Sequence, residues 1–121
     1  MSVRNFKETT LYKKAFEQAM ALFEISKIFP SEEKYSLTDQ VRRSSRSVCA
    51  NLAEAYRKKR YPAHFISKLT DCDAENYETN VWIDFAYATK YINEQTKNDL
   101  LNKNDEVGKL LNHMINNPEK Y

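Results

Sequence analysis

The stretch LTDQVRRSSRSVCANLAEA, residues 37–55, decides the fold that we expect for the whole chain. Its apolar residues recur at intervals of four and seven positions, which places them on one face of a helix. Ser36, followed three positions later by Asp39, resembles a capping box and marks the start of that helix. Ser44 and Ser45 are small, so a second helix is predicted to approach closely at this point. The apolar face consists of Leu37, Val41, Val48, Leu52 and, just beyond the stretch, Tyr56.

The rest of the chain continues the helical pattern. Pro30 and Pro62 mark boundaries, because the residue before a proline avoids helical backbone angles. Asn93 is predicted to cap the last helix. One glycine and three prolines in 121 residues are too few for the turns of a sheet protein. Short links force neighbouring helices to be antiparallel, so we predict an all-α fold over residues 1–121, a single antiparallel up-down-up-down four-helix bundle. The predicted helices span residues 10–29, 37–60, 62–92 and 94–116.

The composition argues against several functional classes. Cys49 and Cys72 lie in apolar helical patterns and no signal peptide is recognised, so we expect a reduced protein in the cytoplasm. No apolar run approaches the roughly 20 residues that cross a bilayer, so no membrane partner is expected. A di-metal bundle needs Glu-x-x-His pairs, whereas Glu75 is followed by Glu78. We therefore expect no metal, no other cofactor and no enzymatic activity.

Charge is segregated along the chain, although the formal net charge is +2. Residues 42–60 hold seven lysines and arginines against one acid, whereas residues 71–84 hold five acids and no base. Clustered basic residues bind phosphates by releasing counterions, and the adjacent Tyr61 could stack on unpaired bases. A basic helix C-terminus is equally explained by the helix dipole and by solubility, so both interpretations stay open. The candidate nucleic-acid-binding residues are Arg42, Arg46, Arg57, Lys58, Lys59 and Arg60.

A polar ridge follows one side of the second predicted helix, at steps of four, four and three residues. Its serine and asparagine are poor residues for a helix interior, which favours a structural role over a solvated face or a ligand site. Glu78 interrupts an apolar stripe of the third helix and needs a partner if it is partly buried. We predict that Arg43 or Arg46 pairs with Glu78 or Glu75, between helices or between subunits, and fixes the register. The predicted network comprises Arg43, Ser47, Asn51, Glu54, Glu75 and Glu78.

The chain from Tyr12 to about Leu111, and most specifically its second predicted helix, resembles the 23S rRNA intervening-sequence proteins, also called four-helix bundle proteins. The resemblance implies an antiparallel four-helix bundle that assembles as a homopentameric ring. Some members of that family are encoded within insertions in large-subunit ribosomal RNA genes. A related group serves reverse transcriptases of diversity-generating retroelements, with a basic surface proposed to bind nucleic acid. The chain departs from the family pattern at Ala55, where glycine is usual. The residues that carry the resemblance are Leu37, Thr38, Gln40, Arg42, Arg43, Ser47, Asn51, Ala53 and Glu54.

These observations favour a non-enzymatic, cytoplasmic homo-oligomer, a pentamer by the resemblance, that binds RNA or DNA through basic residues of the second helix. The alternative is a structural adaptor whose partner is a protein, such as a reverse transcriptase. A small-molecule enzyme is a third class and would need an apolar pocket with shifted carboxylates. The third helix is rich in aromatic residues around Trp82, and those outside the core stripe are candidates for a subunit interface.

Overall fold

The computed structural model describes residues 5–121, which form four helices and three short 3-10 turns. The helices are α1 (Thr10–Ser26), α2 (Leu37–Arg57), α3 (Pro62–Ala88) and α4 (Glu94–Asn116). The 3-10 turns are Phe6–Glu8 before α1, Ser31–Glu33 between α1 and α2, and Pro118–Lys120 after α4. The described residues contain no strand, so the predicted all-α fold is confirmed.

The helices run alternately up and down around the bundle. Lys14 of α1 contacts Glu106 of α4 at 2.9 Å, and Gln18, one turn farther along α1, donates to the earlier Leu100 carbonyl at 2.8 Å. The order of contacts is reversed, so α1 and α4 are antiparallel. Each helix packs against two neighbours, α1 against α2 and α4, and α3 against α2 and α4. This is the up-down-up-down arrangement predicted from the short links.

Three helices end three or four residues before their predicted ends. At the end of α1 the backbone hydrogen bonds span three residues instead of four, and the Phe29 amide donates to the Ser26 carbonyl at 3.1 Å. At the end of α2 the Lys58 amide donates to the Ala55 carbonyl at 2.9 Å, again across three residues. Phe29 is nevertheless buried in the core, so the apolar repeat of α1 extends beyond the last residue of the helix. The observed ends are Ser26, Arg57 and Ala88, instead of residues 29, 60 and 92.

The end of α3 is closed by a Schellman motif built on a lysine. The Lys90 amide donates to the Tyr87 carbonyl and the Tyr91 amide to the Ala86 carbonyl, both at 2.9 Å. Lys90 has a φ of 67°, in the left-handed region where glycine is the usual residue. Without a glycine, the sequence carries no signal for this helix end.

The two predicted N-caps have different outcomes. The Asn93 side chain accepts the Thr96 amide at 2.8 Å, so the predicted cap of α4 is confirmed. The predicted capping box at Ser36 is wrong, because the Ser36 hydroxyl donates to Glu33 Oε1 at 2.6 Å. The same oxygen accepts the Leu37 amide at 3.3 Å, so a residue of the preceding 3-10 turn caps α2.

The apolar core consists of two clusters at opposite ends of the bundle. One cluster lies toward the α2–α3 link and the other toward the α1–α2 and α3–α4 links. The first contains the buried residues Leu11, Ala15, Val48, Leu52, Ala55, Phe65, Leu69, Cys72, Val107, Leu111 and Met114. The second contains Leu22, Phe29, Leu37, Val41, Ile83, Ala86, Ile92 and Leu100.

A buried polar layer separates the two clusters, and all four helices contribute to it. Gln18 Nε2 donates to Asn104 Oδ1 at 2.7 Å, and Asn76 Nδ2 donates to the Asn104 backbone carbonyl at 2.9 Å. Ser44 and Thr79 share a hydrogen bond of 2.8 Å between α2 and α3. Each of these five side chains belongs to a residue no more than 6% exposed. Buried polar groups are retained at low free-energy cost when they are hydrogen-bonded in this way, whereas Gln18 Oε1 is buried without a partner.

We expect Asn104→Ala to lower the free energy of unfolding by about 1–3 kcal/mol, because buried partners of its amide lose their hydrogen bonds. Urea denaturation followed by circular dichroism measures the change. Asn102→Ala is the matched control, since Asn102 lies on the same helix and is exposed. Equal stabilities of the two variants would show that the layer does not stabilise the bundle.

Candidate nucleic-acid interface and polar network

The end of the bundle that carries the α2–α3 link is basic. Arg57 is the last residue of α2, Lys58 caps it, and Lys59 and Arg60 form the turn before α3. Because the helices are antiparallel, the start of α1 and the end of α4 lie at the same end. The segments 5–13, 57–64 and 113–121 together hold seven lysines and arginines against two glutamates. Six of these bases are exposed, namely Lys7, Lys13, Arg57, Lys58, Arg60 and Lys120. We call this surface the basic end.

Lys59 differs from its neighbours because its side chain turns toward the core. Its Nζ lies 4.9 Å from the ring centroid of Tyr56 and 5.9 Å from that of Phe65. Burial lowers the pKa of Lys59 below the usual value. Cation–π contact stabilises the ammonium over these rings. Lys59 therefore packs the end of the bundle, and Lys58 and Arg60 extend into solvent.

Arg42 and Arg46 lie on the side of α2 that faces α1, away from the basic end. Arg42 Nε donates to Ser26 Oγ at 2.7 Å, and its guanidinium carbon lies 4.7 Å from the centroid of the Phe23 ring. Arg46 lies over the same ring at 5.6 Å. Eleven residues separate Arg46 from Arg57, a rise of about 16 Å along the helix. The structure therefore divides the six candidate residues into two groups.

A shallow depression of about 580 Å³ lies beside Arg42 and Arg46 on the outer side of α2. Lys34 also lines it, a residue absent from the sequence-based candidates because it precedes α2. Tyr35, 85% exposed, lies at its edge with the Lys34 ammonium 5.3 Å from the ring centroid. The complete lining is Lys34, Tyr35, Thr38, Asp39, Arg42, Arg43, Arg46, Ser47 and Ala50. The lining thus combines four basic residues with one acid, Asp39.

Arg43 pairs with Glu78 across α2 and α3 within one chain. Its Nη2 lies 2.9 Å from Oε1 and 2.8 Å from Oε2 of Glu78, and its Nη1 lies 3.6 Å from Oε2 of Glu75. The hydrogen bond to Glu78 raises the pKa of Arg43. Both partners are partly exposed, so the pair contributes about 1 kcal/mol or less to stability. The geometry of the pair suits a contact that fixes the relative height of α2 and α3, and the pair adds little to the stability of the bundle.

The remaining members of the predicted network lie closer to the basic end and surround Lys68 of α3. Lys68 Nζ donates to Asn51 Oδ1 at 3.0 Å and lies 3.5 Å from Glu54 Oε2. Asn51 in turn donates to the Ser47 backbone carbonyl at 3.0 Å. The ridge thus meets α3 in two separate clusters. Sequence reasoning missed Lys68, although it is the last base before the acidic run that starts at Asp71.

Glu75 is the least satisfied carboxylate of this region. Its Oε2 is buried without a hydrogen bond, and the 3.6 Å to Arg43 is an ionic contact beyond hydrogen-bonding distance. Burial raises the pKa of Glu75, the adjacent Glu78 raises it further, and Arg43 offsets part of the rise. Glu75 is therefore easier to protonate in the folded protein than in the unfolded chain.

The cysteines have the properties of core residues. Burial raises the pKa of Cys49 to about 11 and that of Cys72 to about 12, so both remain thiols near neutral pH. A thiol is a much weaker nucleophile and metal ligand than a thiolate. Across residues 5–121, no three His, Cys, Asp or Glu side chains form a group that could hold a metal ion. None of the helices in that range is both long and apolar enough to span a bilayer.

Comparison with known proteins places this bundle in a family. The sequence model described as 23S rRNA-intervening sequence protein matches residues 7–113. The chain belongs to this family. A solved protein of unknown function from the S23 ribosomal protein family of Bacteroides thetaiotaomicron is 30% identical, with a TM-score of 0.79. The alignment covers 88% of this chain and 98% of that one. A search of curated proteins finds no match. The family description assigns no activity to its members.

We expect Glu75→Gln to stabilise the protein relative to wild type increasingly as pH rises from about 4 toward 7. The folded state holds its Glu75 proton more tightly than the unfolded state, so wild-type stability falls as pH rises from the ordinary pKa of a glutamate through the raised one. At acid pH both states carry the proton and the advantage of glutamine disappears. Urea denaturation of both proteins across this range measures the difference. A difference that is constant, or that decreases with pH, would contradict the prediction.

Proposed function

We propose that this member of the family is a non-enzymatic homopentamer that binds the phosphate backbone of RNA or DNA through the basic end of each bundle. The observation that carries the proposal is the clustering of six exposed bases from three chain segments at one end. Lysines and arginines that meet in this way release counterions when they contact phosphates, and this release dominates the affinity of such proteins.

Two aromatic residues add a second type of contact at the same end. Tyr61 is 55% exposed and lies beside the exposed His64, with 5.7 Å between the ring centroids. Aromatic rings beside a basic groove stack on unpaired bases without strong sequence preference. Lys58 and Arg60 precede this pair in the sequence. The combination favours single-stranded nucleic acid over a small phosphorylated ligand.

Assembly would multiply the contact of a single subunit. Cyclic symmetry brings the same end of every subunit to the same height along the ring axis. Five copies of the basic end would then face one strand, and linked weak contacts bind far more tightly than one. The pentamer itself rests on the resemblance to the 23S rRNA intervening-sequence proteins. The two free cysteines fit the reducing cytoplasm as the place of action.

A second candidate function is that of an adaptor for a protein partner such as a reverse transcriptase. The exposed side chains of Tyr77, Val81 and Phe85 on α3 favour it, because aromatic and apolar residues are enriched in protein interfaces. Binding of nucleic acid and binding of protein use different surfaces of this bundle, so the two candidates are separable by variants.

We expect the purified protein to have a mass of five times the 14.3 kDa chain, because the ring is the proposed functional unit. Size-exclusion chromatography with multi-angle light scattering measures it directly. A mass of one chain at micromolar concentration would contradict the pentamer and remove the avidity from the proposal.

We expect salt-sensitive binding of the protein to fluorescent single-stranded RNA or DNA, weakened by Lys58→Gln/Arg60→Gln. Each lost phosphate contact should reduce the slope of log affinity against log salt by about 0.7 for a single strand. Fluorescence anisotropy at several salt concentrations measures the affinity and the slope.

The control Lys97→Gln/Lys103→Gln removes the same charge from α4, away from the basic end. It should leave the slope close to that of wild type. Equal losses in both double variants would mean that net charge, and not the basic end, drives binding. No binding at low salt would overturn the proposal in favour of the adaptor.

A further inference from the structure

The outer face of α3 carries an apolar stripe that the described residues 5–121 leave about half exposed. Tyr77, Val81 and Phe85 follow one another at intervals of four residues, and they are 65%, 46% and 53% exposed. Ala74 and Ala88, also exposed, extend the stripe by one turn at each end. A continuous apolar surface of this kind on a small protein marks an interaction site. We call it the α3 stripe.

A second apolar surface lies on the opposite side of the bundle, in a groove of about 390 Å³ between α1 and α2. Phe16 and Met20 of α1 form one wall and remain 49% and 46% exposed. Ala50 and Ala53 of α2 line the other side, and their small side chains allow another helix to approach closely. The complete lining of this α1–α2 groove is Phe6, Tyr12, Phe16, Ala19, Met20, Arg46, Cys49, Ala50 and Ala53.

The positions of the two surfaces favour a contact between unlike faces of two copies. In the bundle α1 packs against α2 and α4 and lies diagonally across from α3, so the α3 stripe and the groove face different directions. The acids that flank the stripe, Asp73 and Asp84, would face acids of the other copy if two stripes met, so such a contact would be repulsive. A contact of stripe with groove avoids this repulsion. Each copy can then use its stripe with one neighbour and its groove with the other, as a ring requires.

The charges beside the two surfaces are complementary in sign and in spacing. Asp73 and Asp84 flank the α3 stripe and lie eleven residues apart. Arg46 lines the groove, and Arg57 lies eleven residues farther along the same face of α2, one turn beyond the groove residue Ala53. Eleven residues are close to three helical turns, so each pair occupies one helix face over about 16 Å. Whether the docked helices run parallel or antiparallel, both carboxylates can meet an arginine.

We propose that the α3 stripe of one copy docks into the α1–α2 groove of the next, with Asp73 and Asp84 facing Arg46 and Arg57. The inference rests on the proposed self-association and identifies the surfaces that produce it. Arg46 and Arg57 then serve the subunit contact. Arg57 is thereby lost from the basic end, and its other exposed bases, Lys7, Lys13, Lys58, Arg60 and Lys120, remain free for phosphate. In this assembly a second copy of the chain occupies the α3 stripe, so the stripe is not available to the protein partner of the adaptor alternative.

Charge reversal tests the pairing. Arg46→Glu/Arg57→Glu and Asp73→Lys/Asp84→Lys should each reduce the mass in light scattering to that of the 14.3 kDa chain, at concentrations where wild type is assembled. The fourfold variant that carries both sets restores opposite charges at every contact and should regain the wild-type mass. Wild-type mass in either double variant would overturn the inference. So would a fourfold variant that is helical by circular dichroism and stays dissociated.

A variant of the apolar surface keeps the test decisive if the fourfold variant does not fold. Val81→Lys places a charge in the centre of the α3 stripe and should dissociate the assembly. Ile28→Lys is the matched control, because Ile28 is 69% exposed and lies outside both surfaces. Loss of assembly in both lysine variants, or in neither, would overturn the inference. A monomeric wild type would instead contradict the proposed pentamer. An assembled wild type whose variants also assemble would contradict only the choice of surfaces.

Discussion

The hydrogen bond between Gln18 and Asn104 ties α1 to α4 at the centre of the bundle, and the heights of the helices depend on the layer to which it belongs. Apolar side chains tolerate small shifts between helices, because their contacts have little direction. Hydrogen bonds have direction, and a shifted Asn104 would leave buried donors and acceptors unpaired. The layer therefore helps to fix the height at which Arg43 of α2 meets Glu78 of α3.

The bases of α2, together with the Lys58 that caps it, have three different roles. Arg43 pairs with an acid of α3, and Arg42 rests on Phe23 with its Nε bonded to Ser26. Lys58 extends into solvent where the helix ends. The acidic α3 behaves in the same way, with Glu78 turned toward α2 and Asp84 exposed. Segregated charge along the sequence thus becomes segregated charge between the surfaces of the bundle, which explains how a nearly neutral protein can present a basic end.

The four helices were predictable because their apolar residues repeat with the period of a helix over many turns. The need of Glu78 for a basic partner was predictable because it interrupts such a repeat. The polar layer was not predictable from Gln18 and Asn104, which look like ordinary surface residues until tertiary packing brings them together. The end of α3 was missed because Lys90 occupies a position that glycine usually marks. The separation of Arg46 from Arg57 follows from the sequence, because the eleven-residue step between them corresponds to about 16 Å along a helix.

The polar layer has a further consequence for how the molecule opens. It interrupts the apolar core, so the cluster around Leu69 and the cluster around Ile83 share few direct contacts. Loosening of one half can therefore stop at the layer while the other half stays folded, as in proteins whose segments exchange their amide hydrogens as separate units. A ligand held at the α2–α3 link would order only the half that binds it, and the distant half could still open locally.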